Sequence, residues 1–154
     1  MGYVTKNYRA QGGDKWVIGG ELAVGDVEVS ELPAQFSFTP AAGASNIADV
    51  VIQVKDAHGV NVAKPVLITV WLSDAATGLG LTGTAASGTV QAKSASGAVV
   101  GTLEAKKALV VQTLATGAFT LEITDTSKTK YYIGASIGGA QTVSAQLETT
   151  DYGS

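Results

Sequence analysis

Apolar and polar residues alternate with a period of two along most of this chain. Val50, Ile52 and Val54 interleave with Val51, Gln53 and Lys55, and Val66, Ile68, Val70 and Leu72 interleave with Leu67, Thr69, Trp71 and Ser73. Phe119, Leu121 and Ile123 alternate with Thr120, Glu122 and Thr124. Tyr131, Ile133, Ala135 and Ile137 form another stripe, and Val143, Ala145 and Leu147 a further one. Successive side chains of an extended strand point to opposite faces, so each stripe predicts a strand with one face on a core and the other on solvent or a partner. Turn-forming residues separate the stripes at Asp56-Ala-His-Gly59, Ser94-Ala-Ser-Gly97, Ala115-Thr-Gly117, Asp125-Thr-Ser-Lys128 and Gly138-Gly139. Short strands with a turn about every ten residues predict a β-sandwich. No segment shows a helical period with caps, so the fold class is all-β.

The texture changes along the chain. Residues 1–34 hold short strand-like pieces, Trp16-Val-Ile18, Leu22-Ala-Val24 and Val27-Glu-Val29, broken by Gly12-Gly13, Gly19-Gly20 and Gly25. Pieces this short do not bury a core by themselves, since an isolated hairpin is marginal in water. Regular alternation starts near Gln35 and continues to Leu147, with Pro33, Pro40 and Ala41-Ala-Gly-Ala-Ser45 punctuating the passage. The division predicted is an extended N-terminal β-arm, 1–34, followed by a sandwich, 35–154. Residues 74–88 are rich in Gly, Ala and Thr and read as a long connection with room for one short strand.

Composition narrows the chemistry. In 154 residues there are no cysteines, one histidine, ten Lys and Arg, and thirteen Asp and Glu, for a net charge of −3. Without cysteine there is no disulfide, thiolate metal site or thiol nucleophile, and one histidine cannot build a multi-histidine metal centre. A pI near 5.0 argues against nucleic-acid binding, which needs a basic face. Charged residues make up 15% of the chain, well below the usual share of about a quarter. The resulting neutral surface suits a chain packed against copies of something. No apolar run approaches the roughly 20 residues of a membrane-spanning helix, and the start lacks a signal-peptide h-region, so the expectation is a cytoplasmic product with no membrane partner.

Two motifs invite a catalytic or cofactor reading. Gly78-Leu-Gly80-Leu-Thr-Gly83 has dinucleotide-site spacing, with Glu104 about twenty residues on, but that chemistry needs a helix opening on the glycines. Here another strand pattern follows, so the segment reads as a flexible loop. His58 lies near Asp56 in a Lys55-Asp-Ala-His-Gly-Val60 stretch that suits a type I turn, which makes it an exposed turn histidine rather than a general base. Asp125 with Thr126 and Ser127 offers oxygen atoms but no calcium-loop spacing. The better reading of residues 125–132 is the entry to a late strand, where a tyrosine hydrogen-bonds backbone at a corner. No catalytic set, metal site or cofactor is expected.

The aromatics are more informative. The stripe through Ile68 and Val70 puts Trp71 on the outer face, where either the long loop covers it or an oligomer contact buries it. Tyr132 is the other aromatic on an outward face, a possible outer-face contact beside Trp71. Trp16 sits in the arm between Gly pairs, in a piece able either to fold back on its own sandwich or to add to another sheet's edge.

The stretch Asn7-Tyr8 through Gly12-Gly13-Asp-Lys-Trp16-Val-Ile-Gly-Gly-Glu21-Leu22 resembles the N-terminal segment of head fibre and head decoration proteins of tailed bacteriophages. Ile52-Gln-Val-Lys-Asp56, Val70-Trp-Leu-Ser-Asp-Ala-Ala-Thr-Gly78 and Phe119-Thr-Leu-Glu-Ile-Thr-Asp125 resemble immunoglobulin-like domains of phage structural proteins. The resemblance implies a non-enzymatic virion protein, made in the host cytoplasm and placed on the capsid exterior. Its partners would be the major capsid protein and itself, as a homotrimer. Trp16, Val17, Ile18, Leu22 and Val24 would then form the capsid and oligomer interface. A carbohydrate- or receptor-binding sandwich of a tail fibre or surface adhesin is the alternative, with Trp71 and Tyr132 as its contact residues.

Overall fold

The computed structural model describes residues 32–154 and, before them, only four two-residue strands: β1 (Tyr8–Arg9), β2 (Trp16–Val17), β3 (Ala23–Val24) and β4 (Val27–Glu28). β1 pairs antiparallel with β2, and β3 with β4.

From Gln35 onward the alternating stripes form two antiparallel sheets stacked as a sandwich. The strands are β5 (Gln35–Ala42), β6 (Ile47–Lys55), β7 (Leu67–Ser73), β8 (Val90–Ala92), β9 (Ala98–Glu104), β10 (Ala108–Gln112), β11 (Ala118–Thr124), β12 (Tyr132–Ile137) and β13 (Ala140–Val143). One sheet has the order β5-β6-β11-β8 and the other β13-β12-β7-β10-β9. The core lies between them. Val50, Ile52 and Val54 of β6 and Phe119, Leu121 and Ile123 of β11 face Ile68, Val70 and Leu72 of β7 and Ile133 and Ala135 of β12, and all are buried. Each predicted turn is present: amides of Gly59, Ser96, Gly117 and Lys128 bond carbonyls three residues back, and Gly138-Gly139 joins β12 to β13.

Four features differ from the sequence reading. The Val143, Ala145 and Leu147 stripe is strand only as far as Val143, the end of β13, and Ala145 and Leu147 lie in the irregular C-terminal segment. The 41–45 stretch is the end of β5 and a tight turn into β6, closed by Gly43 N–H to Ile47 O and Ile47 N–H to Ala44 O. Pro40 lies inside β5, where an edge strand tolerates a residue with no N–H. The long connection 74–89 contains no strand.

The direction of the strands sorts the loops between two ends. β5 starts at Gln35, so the N-terminal segment joins at the end that carries the 56–66 connection. The opposite end carries residues 74–89, the β9–β10 turn, the 125–131 corner and the C-terminus, where Gly153 bridges Ser45. Leu147 and Tyr152 fold in from this last segment and complete the core.

Leu121→Ala removes a fully buried side chain that packs between both sheets. It should cost about 3 kcal/mol, read as a lowered urea midpoint at unchanged m-value.

Candidate interaction surface

The two outer faces of the sandwich differ in chemistry. On the four-stranded sheet, Asp49 of β6 stands opposite Glu122 of β11, and Lys93 pairs with Asp49 at 2.5 Å. That hydrogen bond and the attraction of Asp49 raise the Lys93 ammonium pKa. Gln91 donates to Glu122 at 2.7 Å, and Lys55 adds a further charge to this face. Asp49 Oδ1 is buried with no hydrogen-bond partner among the described residues.

The outer face of the five-stranded sheet carries almost no charge. Register places Leu67, Thr69 and Trp71 of β7 beside Gln112, Val110 and Ala108 of β10. On the other side, Thr69 and Trp71 lie beside Ser136 and Gly134 of β12, and these pair with Gln141 and Val143 of β13. Tyr132, opposite Ser73, lies on the same face and is half-buried. Trp71 and Tyr132 are therefore brought together on one outer face. Glu104, at the end of edge strand β9, is the one charged residue among the strand positions on this face.

Trp71 is fixed from two sides. Its ring lies across Gly134, where an added Cβ would come within 2.2 Å of the indole. Its Nε1–H donates to the carbonyl of Gly78 at 2.9 Å, so the 74–83 loop folds back over the face. Gly78 has φ +69° and packs against Val143, leaving no space for a side chain. At the loop's base the Asp74 carboxylate accepts the Thr82 hydroxyl at 2.6 Å and the Gly83 amide at 2.7 Å, and Thr82 N–H bonds Leu72 O at 2.8 Å. The hydrogen bond from Thr82, then that from Gly83, holds Asp74 below the usual carboxylate range. The glycine-rich stretch is thus a pinned loop, not the flexible one its composition suggests. No helix follows it: the next element is β8. The loop presents Leu79 and Leu81 to solvent, 74% and 46% exposed.

The 125–131 corner anchors the same end. Asp125 is 1% exposed. Its Oδ1 accepts the amides of Ser127 and Ser87, and its Oδ2 accepts the Thr129 amide and the Tyr131 hydroxyl. Burial alone would raise its pKa, but hydrogen bonds from Thr129, Ser127 and Ser87 outweigh burial and hold the carboxyl at about 2. With both oxygens taken by donors, Asp125 is a turn anchor rather than a cation ligand. The tyrosine that bonds backbone at this corner is Tyr152, whose hydroxyl donates to Thr129 O at 2.6 Å, whereas Tyr131 bonds a side chain. Burial raises both tyrosine pKa values.

His58 lies in an exposed turn at the other end. Asp56 Oδ1 accepts the backbone amides of His58 and Val60, so this carboxylate orients a turn and not the imidazole. Among the described residues, no three His, Asp or Glu side chains gather into a metal-binding group. Of the expected capsid-contact residues, Trp16 and Val17 belong to β2 and Val24 to β3, with side chains outside the description; Ile18 and Leu22 lie outside the described residues.

Asp125→Ala leaves several buried amides without their acceptor and should destabilise the fold by about 3 kcal/mol. A carboxyl depressed to about 2 contributes its stability above the unfolded-state pKa near 4 and loses it as pH falls toward 2. Acid unfolding followed by circular dichroism should therefore steepen between about pH 4 and 2 in the wild type and flatten there in Asp125→Ala. Gly134→Ala should displace the Trp71 ring, seen as a red shift of indole emission in a Trp16→Phe background.

No protein-family model, curated protein or solved structure matches this chain, so its role is read from the surface itself.

Proposed function

We propose that this chain is a non-enzymatic structural protein of a bacteriophage virion, which binds the capsid through its N-terminal segment and holds the sandwich outward. The supporting observation is that the carboxylates and the glycine-rich stretch singled out in the sequence hold backbone in place. Asp56 and Asp125 accept turn amides, and the Gly78-to-Gly83 stretch is tied down by Trp71, Thr82 and Asp74. Strand order fits the immunoglobulin-like fold that the resemblance implies. β5, β6, β11 and β8 follow the A, B, E, D order of an immunoglobulin sandwich, and β7, β12 and β13 take the places of C, F and G, with the β9–β10 hairpin added on the free edge of β7.

The mechanism is thermodynamic. A protein that binds only the assembled shell stabilises that shell by mass action, and self-association multiplies weak contacts of the N-terminal segment into avidity. The segment joins the sandwich at one end, and the pinned 74–83 loop and the C-terminus occupy the other. Capsid contact at the first end would leave the second standing away from the shell. A carbohydrate-binding role draws less support, because the Trp71 N–H is already donated to Gly78 and its ring lies against Gly134.

Removal of residues 1–31 should leave a folded sandwich with unchanged far-ultraviolet circular dichroism that no longer co-sediments with capsids of the phage encoding it. Undiminished co-sedimentation would overturn the proposed role of the segment.

A further inference from the structure

We infer that the outer face of the five-stranded sheet pairs with the same face of a second copy of this chain across a two-fold axis. The contact does not depend on the capsid reading, and it departs from the homotrimer that the phage resemblance implies.

The face has two complementary parts. One is a knob, the 74–83 loop over Trp71, carrying exposed Leu79 and Leu81 and held at its base by Asp74. The other is a shelf two and four residues along β7, where Thr69 lies beside Val110 and Leu67 is 56% exposed. Knob and shelf lie on one face, with Thr69 about 7 Å and Leu67 about 14 Å from Trp71 at the strand rise of about 3.4 Å per residue. A two-fold axis in the plane of that face, crossing the strands between knob and shelf, puts each knob on the other copy's shelf. This is the self-complementary pattern that a two-fold interface requires. The knob is pre-organised by hydrogen bonds to Gly78, Thr82 and Gly83, so little conformational freedom is lost when it docks.

Charge and area select a second copy as the occupant. The strand positions of this face hold no charge except edge Glu104, whereas the opposite sheet carries Asp49, Glu122, Lys93 and Lys55. A face whose strands are nearly uncharged loses little when it desolvates against another of its kind, and interface cores are depleted of charge in the same way; the exposed Asp74 carboxylate stays at the base of the knob, already bonded to Thr82 and Gly83. Five strands about 4.8 Å apart and about six residues long give a face of about 20 by 24 Å, about 480 Å² in projection before side-chain relief and the knob are counted, against roughly 800 Å² of accessible surface per partner in a standard interface.

Light scattering on the full chain tests the pairing. The wild type should have twice the 15.6 kDa mass of one chain. Leu79→Glu on the knob and Leu67→Lys on the shelf should each weaken the pair by about 30-fold or more and shift the mass to that of one chain. Both residues are exposed, so circular dichroism should not change. Mixing the two variants should restore the pair, because the glutamate of one knob then meets the lysine of the other shelf while the second knob and shelf stay native. Val51→Glu on the opposite sheet should leave the mass at twice one chain. A monomeric or trimeric wild type, a mass that neither variant lowers, or a mixture that does not re-associate would overturn the inference. Co-sedimentation with capsids is read separately, so failure of the pairing and failure of the capsid role are distinguishable.

Discussion

The structure depends on the contact between two inner sheet faces, where β6 and β11 press against β7 and β12. Both sheets are antiparallel, so strict alternation drives every second residue into one shared apolar layer. That layer is open at both ends, and an open end would admit water to the backbone where strands stop. At one end the chain closes it with a buried carboxylate: Asp125 gathers the amides of Ser87, Ser127 and Thr129 and the hydroxyl of Tyr131. Tyr152 then seals the corner from the C-terminal segment. An ionised group survives there because its hydrogen bonds replace those lost from water.

The same contact explains why so much of the fold is legible in the chain. Val50, Ile52 and Val54, or Phe119, Leu121 and Ile123, have one burial state each, and a period of two reads it directly. Elements with no such state are harder to read. β9 is an edge strand exposed along most of its length, with two register irregularities against β10, so its sequence carries no clean stripe. The start of β6 is hidden behind Ala41-Ala-Gly-Ala-Ser45, which looks like a linker because small residues serve tight turns and linkers alike.

The candidate surface was legible only in part, for a different reason. The outward position of Trp71 follows from alternation, but its partners Gly134 and Gly78 do not. Gly134 is a register neighbour set by β7–β12 pairing, and Gly78 comes back from a loop. The loop's base joins Asp74 to Thr82 and Gly83 across eight and nine residues, a spacing that no helix or strand period marks. Glycine-rich composition suggests mobility when local propensity is read alone; tertiary hydrogen bonds remove it.

The scarcity of charge, which first served only to exclude chemistry, acquires a location in the fold. Charged residues concentrate on the four-stranded sheet, and Glu104 is the single exception among the strand positions of the opposite face. An antiparallel sheet solvated on one side ordinarily shows polar, charged positions there, as the four-stranded sheet does. The five-stranded sheet departs from that pattern along β7, β10 and β12 together, with Thr, Ser, Gln, Gly, Ala, Val, Leu, Trp and Tyr, and no charged residue, in the outward positions. Three strands far apart in sequence share this composition only because they share a face. A constraint on the face as a whole, such as contact with another uncharged surface, accounts for all three at once; the folding of each strand alone does not.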